Sequence, residues 1–84
     1  MTPEERALLP SLIDHAVVLE TTQGDRIVAQ ILVVYDEGET PDLFYVEIEP
    51  GPDGTWSKKG TAGYSILLAD IARVERAVLP ESNQ

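Results

Sequence analysis

Apolar side chains recur at every second position along much of this chain, in short runs cut apart by Gly, Pro and Asp. A period of two puts alternate residues on opposite faces of an extended backbone, so the pattern calls for strands with a buried face. The clearest runs are RIVAQILVVY from Arg26 and LFYVEIE from Leu43, with QGD and DEGETPD as the turns before each. On the first run Ile27, Ala29, Ile31 and Val33 are expected on one face, and Arg26, Val28, Gln30, Leu32 and Val34 on the other. That second face becomes apolar towards its end, as in a strand that bends from one layer into another. On the second run Phe44, Val46 and Ile48 are expected to share one face, opposite Tyr45, Glu47 and Glu49.

Three further segments complete the pattern. HAVVLETT from His15 reads as a first strand, YSILLA from Tyr64 as a fourth and RVERAV from Arg73 as a fifth, with a single tight helical turn at ADI. PGPDGTWSKKGTAG, dense in Gly and Pro, reads as a loop. Ahead of the strands, Thr2-Pro3-Glu4-Glu5 signals a helix start: Thr2 caps, Pro3 suits the first helical position and Glu5 closes a capping box. Leu8, Leu9, Leu12 and Ile13 are expected to lie against the rest of the domain. The chain is thus read as one all-β domain over 1–84: a helical segment at 3–13, a five-stranded small barrel over 15–78 and a frayed tail at 79–84.

Length and composition narrow what such a domain does. The chain has 84 residues, one His and no Cys, so neither disulfides nor a Cys or multi-His metal site can staple it. A domain this small hides only about 60% of its unfolded surface, and self-association is one way to extend its core. Fifteen acidic against six basic residues give a formal charge of −9. Nucleic-acid affinity rests on neutralising phosphates, so that balance opposes it. The apolar stretches lack the length needed to span a bilayer, and the acidic start is unlike a secretory signal. A cytoplasmic location, with no membrane partner, is the expectation.

A short helix followed by five strands, with a tight turn between the last two, describes an SH3-like barrel. Within it GDRIVAQILVVYD resembles the first motif of the Sm/LSm family. Gly24 matches the turn, Ile27 and Ile31 the apolar positions, and Ala29 stands where the family usually has Gly. Tyr35 and Asp36 match an aromatic-Asp pair but lie one place late. YSILLADIARVE is similar to the closing strands, with Ile71 at the turn and Val74 returning to the core. The resemblance implies an Sm-like, five-stranded barrel and assembly through its edge strands. It does not bring RNA binding with it: EGETPDL lacks the family's base-reading Asn, and ADIAR lacks its Arg-Gly pair.

The remaining candidates are weighed on their own chemistry. Asp36, Glu37 and Glu39, with Asp42, suit a hard cation, but their spacing lacks EF-hand order and a solvated turn accounts for them. His15 with Ser11 or Ser65 makes no nucleophile elbow, and no Gly-rich phosphate loop precedes a helix. No catalytic residue, metal or cofactor is assigned, and the chain is read as a non-enzyme. Trp56 beside Lys58 and Lys59 is a candidate partner anchor, the other expectation being that its ring closes the core. Tyr45, with Glu47 and Glu49, is expected on an outward face that joins Val28, Leu32 and Val34 in a contact surface. The sequence is therefore read as a self-assembly or protein-interaction module, a homo-oligomer through barrel edges. The alternatives are a divergent Sm-like RNA binder and an acidic protein that engages a basic partner.

Overall fold

The helix start forms as its residue types dictate. Thr2 Oγ1 accepts the Glu5 N–H at 3.1 Å, and Glu5 Oε1 accepts the Thr2 N–H at 2.9 Å, which closes the capping box. The resulting helix α1 spans Pro3–Leu8, and the chain then tightens into a 3-10 turn over Leu9–Leu12. Pro10 sits in the first turn of that segment, where a missing N–H costs little. Leu9 and Leu12 are buried there and Ile13 packs at the core's rim. Leu8 is instead 57% exposed, so the expected apolar row is one residue shorter.

The computed structural model describes residues 1–79, so all of the expected tail except Leu79 lies outside the described residues. Five strands follow α1: β1 (Ala16–Thr21), β2 (Arg26–Tyr35), β3 (Asp42–Pro50), β4 (Trp56–Leu67) and β5 (Ile71–Arg76). They form one antiparallel sheet in the order β4-β3-β2-β1-β5. The β1–β2 turn is tied by Thr21, whose Oγ1 accepts the N–H groups of Gln23 and Asp25 at 3.2 and 3.1 Å. Gly24 in that turn has φ +93°, a conformation that side chains with a Cβ rarely adopt. A 3-10 turn at Leu68–Asp70 joins β4 to β5, where ADI was expected to make a tight turn.

The sheet buries one face around a single cluster. Val17 and Leu19 of β1, Ala29 and Ile31 of β2, Leu43 and Tyr45 of β3, and Ile71 and Val74 of β5 enter it. Leu9 and Leu12 close it on the helical side and Leu68 at the 3-10 turn. From β4 the half-buried Ile66 packs against this cluster, and the exposed Tyr64 reaches it through Tyr45.

Two irregularities revise the expected faces. In the β2–β3 pairing Ile31 lies opposite Tyr45 but Val33 lies opposite Phe44, so β2 carries one extra residue at Leu32. A bulge of this kind exchanges the faces beyond it. Val34, opposite Leu43, therefore packs against the core while Val33 is 37% exposed, the reverse of strict alternation. On β3 the core takes Leu43 and Tyr45, so the expected outward position of Tyr45 is corrected: it is only 7% exposed. Val46 and Ile48, on the other face, are buried outside the main cluster, at 8% and 4% exposure.

The other revision concerns β4. Val46 pairs with Gly63 but Ile48 pairs with Lys58, which leaves Lys59–Ala62 as a bulge with Gly60 at φ +99°. The expected loop from Pro50 to Gly63 is thus strand from Trp56 onward. Its missing signal has a physical cause: most of β4 is exposed, so nothing requires its side chains to alternate.

The bulge makes a direct prediction for urea unfolding. Ile31→Ala is expected to lose about 2–5 kcal/mol of stability, as a truncated core residue does. Val33→Ala should stay within about 1 kcal/mol of the parent and cost less than Val34→Ala. A larger loss at Val33 than at Val34 would mean that β2 runs straight through Leu32.

Candidate functional site

The two ends of the sheet are chemically unlike. No strand pairs with the outer side of β4 or of β5 among the described residues. The first part of β4 is protected in the manner of natural edges, by Lys58, Lys59 and the bulge that follows. Its second part, Tyr64–Leu67, carries no charge at all.

That unprotected part runs between two exposed apolar rows. On the core side Tyr64 lies opposite Tyr45 in register, and the rings stack with centroids 5.6 Å apart. Tyr45 is covered by this stack, whereas Tyr64 remains 44% exposed at the edge. On the opposite side Val33 pairs with Phe44, while Tyr35 and Leu67 both pair with Asp42. Phe44, Leu67 and Tyr35 are 43%, 42% and 61% exposed, so three strands contribute apolar side chains to this face, with Asp42 between Tyr35 and Leu67. Gly63 lets the Phe44 ring lie close to β4, since a Cβ there would come within 3.3 Å of Phe44 Cε2. The contact surface expected at Tyr45, Val28, Leu32 and Val34 is replaced by this one, because Tyr45 lies opposite Ile31 on the core side and the Leu32 bulge turns Val34 inward.

Trp56 opens β4 opposite Pro50 and is half-buried. It lines an open groove of about 330 Å³ together with Arg26, Val28, Ile48, Lys59 and Val78. Neither the main core nor the Tyr64 patch includes it. Lys58 and Lys59 are exposed, and only Lys59 reaches the groove wall. The structure therefore does not gather Trp56, Tyr45 and the acidic turn into one site.

In the acidic turn, Asp36 is held by Arg6 of α1: the guanidinium Nε donates to Oδ1 at 2.9 Å and a second nitrogen also contacts that oxygen. Glu37 and Glu39 are exposed. Among the described residues no group of three or more His, Cys, Asp or Glu side chains is placed to hold a metal ion. The hydroxyl of Ser11 donates to the Leu8 carbonyl at 2.7 Å, a local turn bond. Ser65 is exposed on β4, and His15 is exposed before β1. No helix among the described residues is long and apolar enough to cross a membrane.

In comparisons with known proteins, no family model, no curated protein and no solved structure matches this chain.

The tyrosine stack has a titration signature. Burial, then the charges of Glu47 and Tyr64, push the Tyr45 hydroxyl above its ordinary value of 10.0. The folded state thus holds this proton more tightly, so its contribution is complete below the unfolded value and fades as pH rises through the raised one. Thermal unfolding of the parent should lose stability above about pH 10, and Tyr45→Phe should lose less over the same range. Equal losses in the two proteins would place Tyr45 outside the stack's protection.

Proposed function

We propose that this chain is a non-catalytic self-assembly module that adds a second copy along the free edge of β4. The observation that carries this reading is the uncharged Tyr64–Leu67 edge, flanked on both faces by exposed apolar side chains. Backbone pairing at such an edge supplies direction, and the Tyr64 and Phe44–Leu67 rows supply apolar area for a partner strand to cover. A second copy presents the same edge and so meets like with like, as isologous interfaces require.

The reading retains the resemblance to Sm/LSm barrels as a proposal. In its favour, β2 carries its extra residue at Leu32, between the matching Ile31 and the Tyr35-Asp36 pair that comes one place late. One inserted residue accounts for a displacement of one place. Sequence and charge keep RNA outside this proposal, since the family's base-reading residues have no counterparts here and the formal charge is −9.

Size-exclusion chromatography with light scattering tests the assembly. The mass is expected to exceed the 9.2 kDa of one chain and to rise with concentration. Tyr64→Lys combined with Leu67→Lys should return it to the single-chain value with an unchanged circular dichroism spectrum. A parent that stays at the single-chain mass up to millimolar concentration would sink the reading and turn attention to the Trp56 groove.

A further inference from the structure

The other end of the sheet is closed by the chain's own N-terminal segment. Val74 lies mid-strand in β5 and opposite Leu19 of β1, yet its N–H is donated to Glu5 Oε2 at 3.3 Å. An N–H bonded to a helix side chain points away from β1, towards the side where another strand would add. Glu5 therefore holds the donor that an incoming strand needs. Three residues earlier in β5, the Ile71 carbonyl accepts from the Met1 ammonium at 3.3 Å. The same edge is thus occupied at two points by one short segment.

The segment is weakly attached. Helix α1 has six residues and none of them is buried. A helix that short does not persist in water on its own. Its buried anchors, Leu9 and Leu12, lie in the following 3-10 turn, and Met1 packs only at the core's rim. What holds α1 over the sheet is polar: Glu5 to Val74, the Met1 ammonium to Ile71 and Arg6 to Asp36. Glu5 also serves the capping box through its other oxygen, so one carboxylate both starts the helix and blocks the strand.

We propose that α1 is a latch on β5: with Glu5 on the Val74 N–H, copies of this chain join through β4 alone, and release of Glu5 opens β5 to the β4 edge of another copy. The proposal rests on the β4 assembly reading for its occupant. Among the described residues β4 is the other unpaired strand edge, and joining it to β5 continues one antiparallel sheet from copy to copy. Latched chains have one usable edge each and stop at pairs. Unlatched chains have two, and such head-to-tail contacts extend into rings or filaments.

The test compares the parent with Glu5→Ala and Glu5→Gln by light scattering and by amide hydrogen exchange followed by NMR. Glutamine has one carbonyl oxygen for the two N–H groups that the carboxylate serves, so it should fall between the other two proteins. It also keeps the comparison usable if the alanine variant is poorly folded. Loss of the Glu5 bond should speed exchange of the Val74 amide by about three- to tenfold. The mass of Glu5→Ala should exceed twice that of one chain and grow with concentration while the parent stops at two. Faster Val74 exchange with a mass no greater than the parent's would overturn the latch. Unchanged Val74 exchange in both variants would overturn it too, by removing the contact itself. Neither result touches the β4 reading, which stands or falls on whether Tyr64→Lys with Leu67→Lys dissociates the parent.

Discussion

One antiparallel sheet has to bury its own face around a single cluster, and the rest of the molecule follows from that constraint. The chain has no cysteine to staple it, and its described residues form no second sheet to pack against. Core residues come from β1, β2, β3 and β5 together, with Leu9 and Leu12 added from the helical side. Such a sheet must curve strongly, and strands curve where an extra residue is inserted. The bulge at Leu32 and the shift between Glu20 and Thr21 in the β1–β5 pairing are those places.

The same curvature decides which residues meet solvent. Past Leu32 the faces of β2 are exchanged, so Val34 packs inward and Val33 and Tyr35 turn out beside Phe44. The exposed apolar patch is therefore a consequence of how the core is closed. At the β4 edge the core reaches its limit: Tyr45 is covered by Tyr64, and nothing among the described residues covers Tyr64 in turn. Burial that ends on a half-exposed aromatic at a free strand edge is what a second sheet would complete.

One carboxylate, Asp42, lies opposite Leu67 of this edge in register, and two others are tied elsewhere. Asp36 is engaged by Arg6, and Glu5 is bound to backbone at Thr2 and Val74. Those backbone bonds to Thr2 and Val74 hold the Glu5 carboxyl below its ordinary value of 4.5. Its contribution is therefore present above that value and is lost as pH falls through the lowered one. Two of the chain's carboxylates thus fasten the N-terminal segment to the sheet, whereas the Tyr64–Leu67 stretch is left uncharged.

Local chemistry was legible in the sequence wherever a short-range rule applies. Thr2, Pro3 and Glu5 determine the helix start because capping is decided within four residues, and Gly24 determines the first turn because it takes a positive φ. The strand runs at Arg26 and Leu43 were equally plain, since a half-buried strand must alternate. The inward side of β3 was not legible: alternation is symmetrical, and only the pairing of β3 with β2, which sets Tyr45 opposite Ile31, put Tyr45 inside and Phe44 outside. The start of β4 was hidden because an exposed edge needs no apolar period. The Glu5–Val74 bond joins residues 69 apart in sequence, so only the tertiary structure could bring a capping carboxylate onto the edge of the last strand.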